Sequence, residues 1–288
     1  SEQFSLRDFK EDIKSNIVFV EVSIDKEVGG YRVAKNSASI LQDAKEATFK
    51  GEFKKAYKLL LPLAEQGNVT AQYNLGVMYE AGEGVPQDDK QSAKWYRLAA
   101  EQGHRKAQNN LGGMYREGQG VPKDVKEAVK WYRLSAERGH SSAQINLGSI
   151  YENGEGEIPQ DYKESVKWFR LAAEQGVVLA QSKLGDIYIE GKGVPQNSKE
   201  AGKWWRLAAE QGIAQAQFNL GMLHAKGHGI PVDLNEATKW LRLAAKQGNT
   251  EAQEVLDLIS REIAQRKNQD NSQDSESSRP KGIEDVLG

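Results

Sequence analysis

Five times along this chain an acid or amide stands three residues ahead of a second one: Asp88 and Gln91, Asp124 and Glu127, Asp161 and Glu164, Asn197 and Glu200, Asp233 and Glu236. Paired carboxylates at close range can share general-acid and general-base work. Each pair, however, follows a version of one phrase: "EGVPQD", "QGVPKD", "GEIPQD", "KGVPQN" and "HGIPVD". Glycine frees the turn and proline fixes the chain after it. The spacing is that of the capping box, whose side chains satisfy N–H groups left unpaired at a helix start. The pairs are therefore assigned to capping, not to catalysis.

The four histidines carry no stronger chemical signal. His104 and His140 each follow a glycine at the same point of a repeat, His224 stands where other repeats have Tyr, and His228 lies between Gly227 and Gly229 in a loop. No HExxH, zinc cluster or Ser-x-x-Lys pattern occurs. The "GEG" and "GKG" pieces follow no strand and precede a proline, so they do not read as phosphate loops. Cysteine is absent, which removes disulfides, thiolate nucleophiles and Cys-ligated metals. No enzyme activity, metal or cofactor is expected.

The elements behind these residues are repeats. The phrase "AQYNLGVMYEAGEGVPQDDKQSAKWYRLAAEQG" begins at Ala71 and recurs from Ala107, Ala143, Ala180 and Ala216, with a sixth start at Ala252. A constant period of this size marks a solenoid. In the first helix, from Ala71 to about Glu80, apolar residues at Ala71, Leu75, Met78 and Tyr79 keep one helical face. Its middle carries Gly76, matched by Gly112, Gly148, Gly185 and Gly221. A mid-helix glycine costs about 1 kcal/mol against alanine, so five in register imply close helix crossings. The second helix, from about Asp89 to Glu101, carries Trp95, matched by Trp131, Trp168, Trp204 and Trp240. Leu98, Leu134, Leu171, Leu207 and Leu243 stand three further on. The Trp–Leu face is expected to bury against the neighbouring repeat, and losing Trp168 to cost about 3–5 kcal/mol. The alternative for the Trp stripe is a ligand cage or stacking platform. Gly103, Gly139, Gly176, Gly212 and Gly248 close the second helices as C-caps. One inserted residue in "NGEGEIPQD" leaves the helices in register and adds Glu155 and Glu157 to a loop.

The ends differ. Residues 39–70 form a first unit whose second helix lacks the Trp and has Ala56 there. Units then run 71–106, 107–142, 143–179, 180–215 and 216–251, with a capping helix at 252–265. Terminal repeats diverge because one face has no neighbour. In residues 1–38, Val18, Val20, Val22 and Ile24 alternate as on a strand, and a second strand is expected near Tyr31 to Val33. Such a hairpin is marginal alone; it docks, pairs with another chain, or stays disordered. Residues 266–288 are polar and read as a disordered tail, ending in "IEDVLG", a short recognition segment or an ordinary terminus.

The units closely resemble Sel1-like repeats, relatives of tetratricopeptide repeats: both helices, the Gly–Pro loop and the closing Gly coincide over residues 39–265. "FKGEFKKAYKLLLPLAEQG" resembles an ordinary tetratricopeptide pair. The resemblance implies an all-α, right-handed superhelical solenoid, a bacterial source, and an adaptor or scaffold that binds proteins or peptides. A periplasmic or exported location is implied, with the cytoplasm as the alternative. Ser1 in place of an initial Met fits a processed or trimmed chain, either of which would lack an export signal.

In related repeats the first helices line the inner curve. Carried over, that wall comprises Tyr73, Asn74, Val77, Asn109, Asn110, Arg116, Ile145, Asn146, Ser149, Glu152, Ser182, Lys183, Asp186, Phe218, Asn219 and Met222. These positions vary between units while the packing positions do not. Asn74, Asn110, Asn146 and Asn219 form a ladder that could clasp a peptide backbone or bond within the protein. Arg116 and Lys183 could hold a carboxylate or pair with nearby Glu. Two other functions stay open: binding cell-envelope glycan or peptidoglycan enzymes, and self-association through the N-terminal strands. A net charge of -2 with no basic helix stripe argues against nucleic acid, and no apolar run is long enough to span a membrane.

Overall fold

The structure, a computed structural model, describes residues 36–270. The strands expected before residue 36 and the tail after residue 270 lie outside the described residues. Contacts divide the chain between Lys123 and Asp124 into two units. The first contains α1 (Ser37–Phe49), α2 (Phe53–Glu65), α3 (Val69–Ala81), α4 (Asp89–Glu101) and α5 (Arg105–Glu117). The second contains α6 (Val125–Glu137), α7 (Ser141–Asn153), α8 (Tyr162–Glu174), α9 (Val178–Glu190), α10 (Ser198–Glu210), α11 (Ala214–Lys226), α12 (Leu234–Lys246) and α13 (Thr250–Asp270). The fold is all-α, stacked helical hairpins with no strand among the described residues. Within each unit, every helix packs against the ones before and after it.

Side-chain caps set most of the helix starts, while α2, α9 and α11 begin without one. Asp88 Oδ1 accepts from the N–H groups of Lys90 and Gln91 at 2.9 and 3.0 Å. Asp161 and Asp233 each take two N–H groups, and Asp124 and Asn197 one each. The reciprocal half of the capping box is not used. The N–H of Asp88 donates to the Tyr79 carbonyl and that of Asp161 to the Tyr151 carbonyl. Glu127, Glu164, Glu200 and Glu236 pair instead with Lys130, Lys167, Lys203 and Lys239 one turn on. Helix i,i+3 pairing competes successfully because the cap N–H is already satisfied. First helices are capped by Asn36, Asn68, His104 and His140. In the last two, Nδ1 accepts the Ala107 and Ala143 N–H groups.

The core inside each hairpin rests on the residue after the repeated Trp. Tyr96, Tyr132, Phe169, Trp205 and Leu241 are all buried. The side chains of Tyr96, Phe169, Trp205 and Leu241 occupy the space over Gly76, Gly148, Gly185 and Gly221. A Cβ on Gly76 would stand 2.4 Å from the Tyr96 ring, and one on Gly185 2.2 Å from the Trp205 ring. The glycines therefore admit a side chain, where the sequence suggested close backbones. Trp95, Trp168 and Trp240 are buried, while Trp131 and Trp204 are only half-buried. Cations cover some of the rings: Arg133 and Lys167 lie over Trp168, Arg206 and Lys239 over Trp240.

The expected burial of the leucines is overturned at four positions, while Leu98 is half-buried and packs on the core around Leu60 and Trp95. Leu134, Leu171, Leu207 and Leu243 are 37–45% exposed. Burial falls on Ala, aromatic and Ala positions such as Ala93, Tyr96 and Ala100, a face rotated away from Leu98. In the first unit, counting back from Gly67 places Leu59, not Ala56, at the Trp position; Ala56 is fully buried at the position of Ser92.

A glutamine clamp, unexpected from sequence, ties three helices at a time. Gln72 Nε2 donates to the Ala64 carbonyl at the end of α2, and its Oε1 accepts from Gln102 beyond α4. Gln144 with Gln175, Gln181 with Gln211, and Gln217 with Gln247 repeat this in the second unit. Each buried amide thereby satisfies a carbonyl that a helix end leaves open.

Candidate protein-binding surface

The residues expected on the wall all lie on first helices. In residues 36–123, Tyr73 and Asn74 of α3 are buried, each only 4% exposed, which corrects their placement on an open wall. The Tyr73 ring packs at 4.4 Å from the His104 ring and 5.8 Å from that of Tyr96. Large aromatic area is withdrawn because α4 supplies a matching ring. Asn74 Oδ1 has no hydrogen-bond partner among the described residues. Val77, Asn109, Asn110 and Arg116 are half-buried, so they keep accessible surface. Asn109 donates to Asn110 at 3.3 Å, and nearby the hydroxyl of Tyr96 is buried. That hydroxyl meets Glu80. Burial pushes the Glu80 carboxyl above its ordinary value, against the lowering effect of the Tyr96 bond.

In residues 124–270, α7, α9 and α11 supply the remaining wall residues, all half-buried: Ile145, Asn146, Ser149 and Glu152; Ser182, Lys183 and Asp186; Phe218, Asn219 and Met222. Two polar pairs bridge successive first helices. Lys183 Nζ lies 3.3 Å from a Glu152 oxygen, and Asn219 Nδ2 lies 3.3 Å from Asp186 Oδ1. Asp186 also accepts from Trp205 Nε1 at 3.0 Å. Burial raises the Asp186 pKa, while the Trp205 bond and Lys183 act to lower it. Ile145 packs on the cluster around Phe169, and Phe218 and Met222 on the cluster around Leu241. Lys183 is thus paired with a glutamate, and two of the ladder amides bond within the protein.

The arrangement offers apolar patches between fixed polar groups. His104 and His140 are caps, and His224 Nε2 lies 3.3 Å from Arg206 Nη2. Among the described residues no three His, Asp or Glu side chains gather as a metal site. No helix among them is long and apolar enough to cross a membrane.

The Sel1 repeat model matches residues 50–68, 69–104, 105–140, 141–177, 178–213 and 214–249. The chain belongs to the Sel1 repeat family. A Sel1-fold protective antigen present in uropathogenic Escherichia coli strains is 38% identical, with a TM-score of 0.73. The match covers 78% of this chain and 49% of that one, so the chain spans about half of the antigen's length. A Sel1 repeat protein from Oxalobacter formigenes is 37% identical over 75% of this chain and 88% of its own, with a TM-score of 0.68. No curated protein matches. Sel1 repeats form a non-catalytic scaffold family that generally mediates protein–protein interaction, and these neighbours are bacterial. From the second match on, the boundaries fall at the starts of the first helices, two residues before the repeated "AQ".

Proposed function

We propose that this Sel1 chain is an adaptor whose first-helix wall captures a segment of a partner protein. The observation that supports the reading is the wall of residues 124–270. Half-buried Ile145, Phe218 and Met222 alternate there with the Glu152–Lys183 and Asp186–Asn219 pairs. Half-buried apolar groups gain by further desolvation, and the amide and charged pairs give register to a peptide backbone. In the first unit Asn109, Asn110 and Arg116 offer the same polar chemistry. Tyr73 and Asn74 belong to the core and leave the proposed site. No catalytic step is assigned to any of these residues.

A photo-crosslinking residue placed at Ser182, in the wall, should trap a partner segment from the native host, while one at Lys163 on α8 should not. With that partner purified, Lys183→Ala together with Asn219→Ala should weaken binding about tenfold or more, the loss of two interface contacts of roughly 1 kcal/mol each. Equal trapping at both positions, or unchanged affinity, would remove the wall as the binding surface.

A further inference from the structure

Gly202, His224 and Val232 depart from the repeat and line one cleft. Gly202 stands where Ala93, Val129, Val166 and Thr238 stand; His224 replaces Tyr115, Tyr151 and Tyr188; Val232 replaces Gln87, Lys123, Gln160 and Gln196. The cleft lies between α10 and the loop before α12, with a volume of about 730 Å³. Its counterpart beside α8, walled by Val166 and Val194, has about 470 Å³. The first two changes shorten side chains in the wall. The third exchanges a polar group for an isopropyl group: Gln196 Nε2 is held by the Ile189 carbonyl at 2.7 Å, whereas Val232 is 46% exposed. Leu207 and Ile230 continue the apolar lining.

Packing explains part of this. A Cβ on Gly202 would stand 3.0 Å from Leu223 Cδ2. It does not explain an exposed Val232 or a retracted His224 at the same place. The charges at the mouth complete the picture. Lys203 is paired with Glu200 and Arg206 with Glu236, while exposed Lys199 makes no ion pair among the described residues. The Asp233 carboxylate also lines the cleft, with its Oδ1 taken by the N–H groups of Asn235 and Glu236. Among the described residues the lining thus sets Lys199, free of an ion pair, beside an apolar floor, within the size range of ligand sites, about 300–1,000 Å³.

We propose that this cleft takes the carboxyl-terminal residue of a partner peptide, with its apolar side chain against Leu207, Ile230 and Val232 and its carboxylate on Lys199. A chain-terminal residue bears both groups on one Cα. In an extended internal segment an acid and its apolar neighbour point to opposite sides. The site is separate from the first-helix wall.

The test uses the full chain and three probes: N-acetyl-Phe-Leu with a free carboxylate, its carboxyl-terminal amide, and N-acetyl-Phe-Lys with a free carboxylate. Calorimetric titration gives affinity, and methyl NMR shifts at Leu207, Ile230 and Val232 locate the probe. The first probe should saturate and move those methyls; the other two should bind about threefold or more weakly. Lys199→Ala and Val232→Gln should each weaken the first probe by about threefold or more. Val232→Gln changes an exposed side chain to one that other repeats carry there, so the fold is retained. Lys183→Ala with Asn219→Ala should leave this probe's affinity unchanged, which separates the cleft from the wall. Equal affinity for acid and amide, unchanged binding to Val232→Gln, or no saturable binding at millimolar concentration would each overturn the proposal.

Discussion

The clefts beside α8 and α10 are built from equivalent positions yet have different interiors. Beside α8, Val166 is buried, Arg170 bonds the Tyr188 hydroxyl, and Gln196 closes onto the end of α9. Beside α10, Gly202, His224 and Val232 hold those places, and Arg206 reaches both His224 and Glu236. The capping residues Asp161 and Asn197, the glutamine clamps, and the aromatic over the mid-helix glycine are shared. A repeat can thus be respecialised at its rim without touching the contacts that stack it. Stacking depends on positions facing neighbouring helices, whereas an exposed rim position such as Val232 meets solvent and accepts substitution at small cost.

The largest effect expected from exchanging the two clefts is on stability. Val166→Gly should destabilise by about 2–4 kcal/mol, combining lost burial of a valine with a mid-helix glycine. The reverse change, Gly202→Ala, should stabilise by less than about 1 kcal/mol, because helix propensity improves while the flexible end of Leu223 has to shift. Urea melts of both variants check this; symmetrical effects would show that the two clefts are energetically equivalent after all.

The pH dependence should be smaller and confined to one cleft. Burial, then the nearby Arg206 charge, lowers the His224 pKa; Glu236 and Asp233 act against this, and Lys239 with it. The folded state therefore binds the proton less readily than the unfolded chain. The contribution of His224 is complete above the ordinary histidine value of about 6.5 and declines as pH falls through the lowered folded value. His224→Tyr, which restores the usual residue, should flatten the fall of stability below the ordinary histidine value of about 6.5. An unchanged slope in that variant would assign the titration elsewhere.

The smallest effect tests the exposed leucines. Leu171→Ala and Leu207→Ala should each change stability by less than about 0.5 kcal/mol, as surface substitutions do. Thermal melts showing losses near 2–3 kcal/mol would return these residues to the core.

Legibility followed symmetry. The period, the paired helices, the capping aspartates and the loop glycines could be read because each relies on local backbone geometry that recurs in every unit. The leucines could not: Leu171 and Trp168 differ by three positions, and only packing decides which lies over a neighbour. The glutamine clamp was visible as "AQ" and "AEQG" but not interpretable, since its partners are about 30 residues apart. For the wall, the resemblance to related repeats nominated the first helices, and the sequence could not separate buried Tyr73 and Asn74 from their half-buried equivalents. A ring at Tyr96 and another at His104 cover Tyr73, whereas the equivalent residues carry different neighbours.

The amino-acid order alone determined that helical hairpins would form and where they would start, because caps, turns and apolar periodicity act over a few residues. Tertiary structure alone decided which face of each second helix met a neighbour, which wall residues kept contact with solvent, and that Gly202, His224 and Val232 would share one cleft. Those outcomes depend on distances between residues remote in sequence, and no local propensity encodes them.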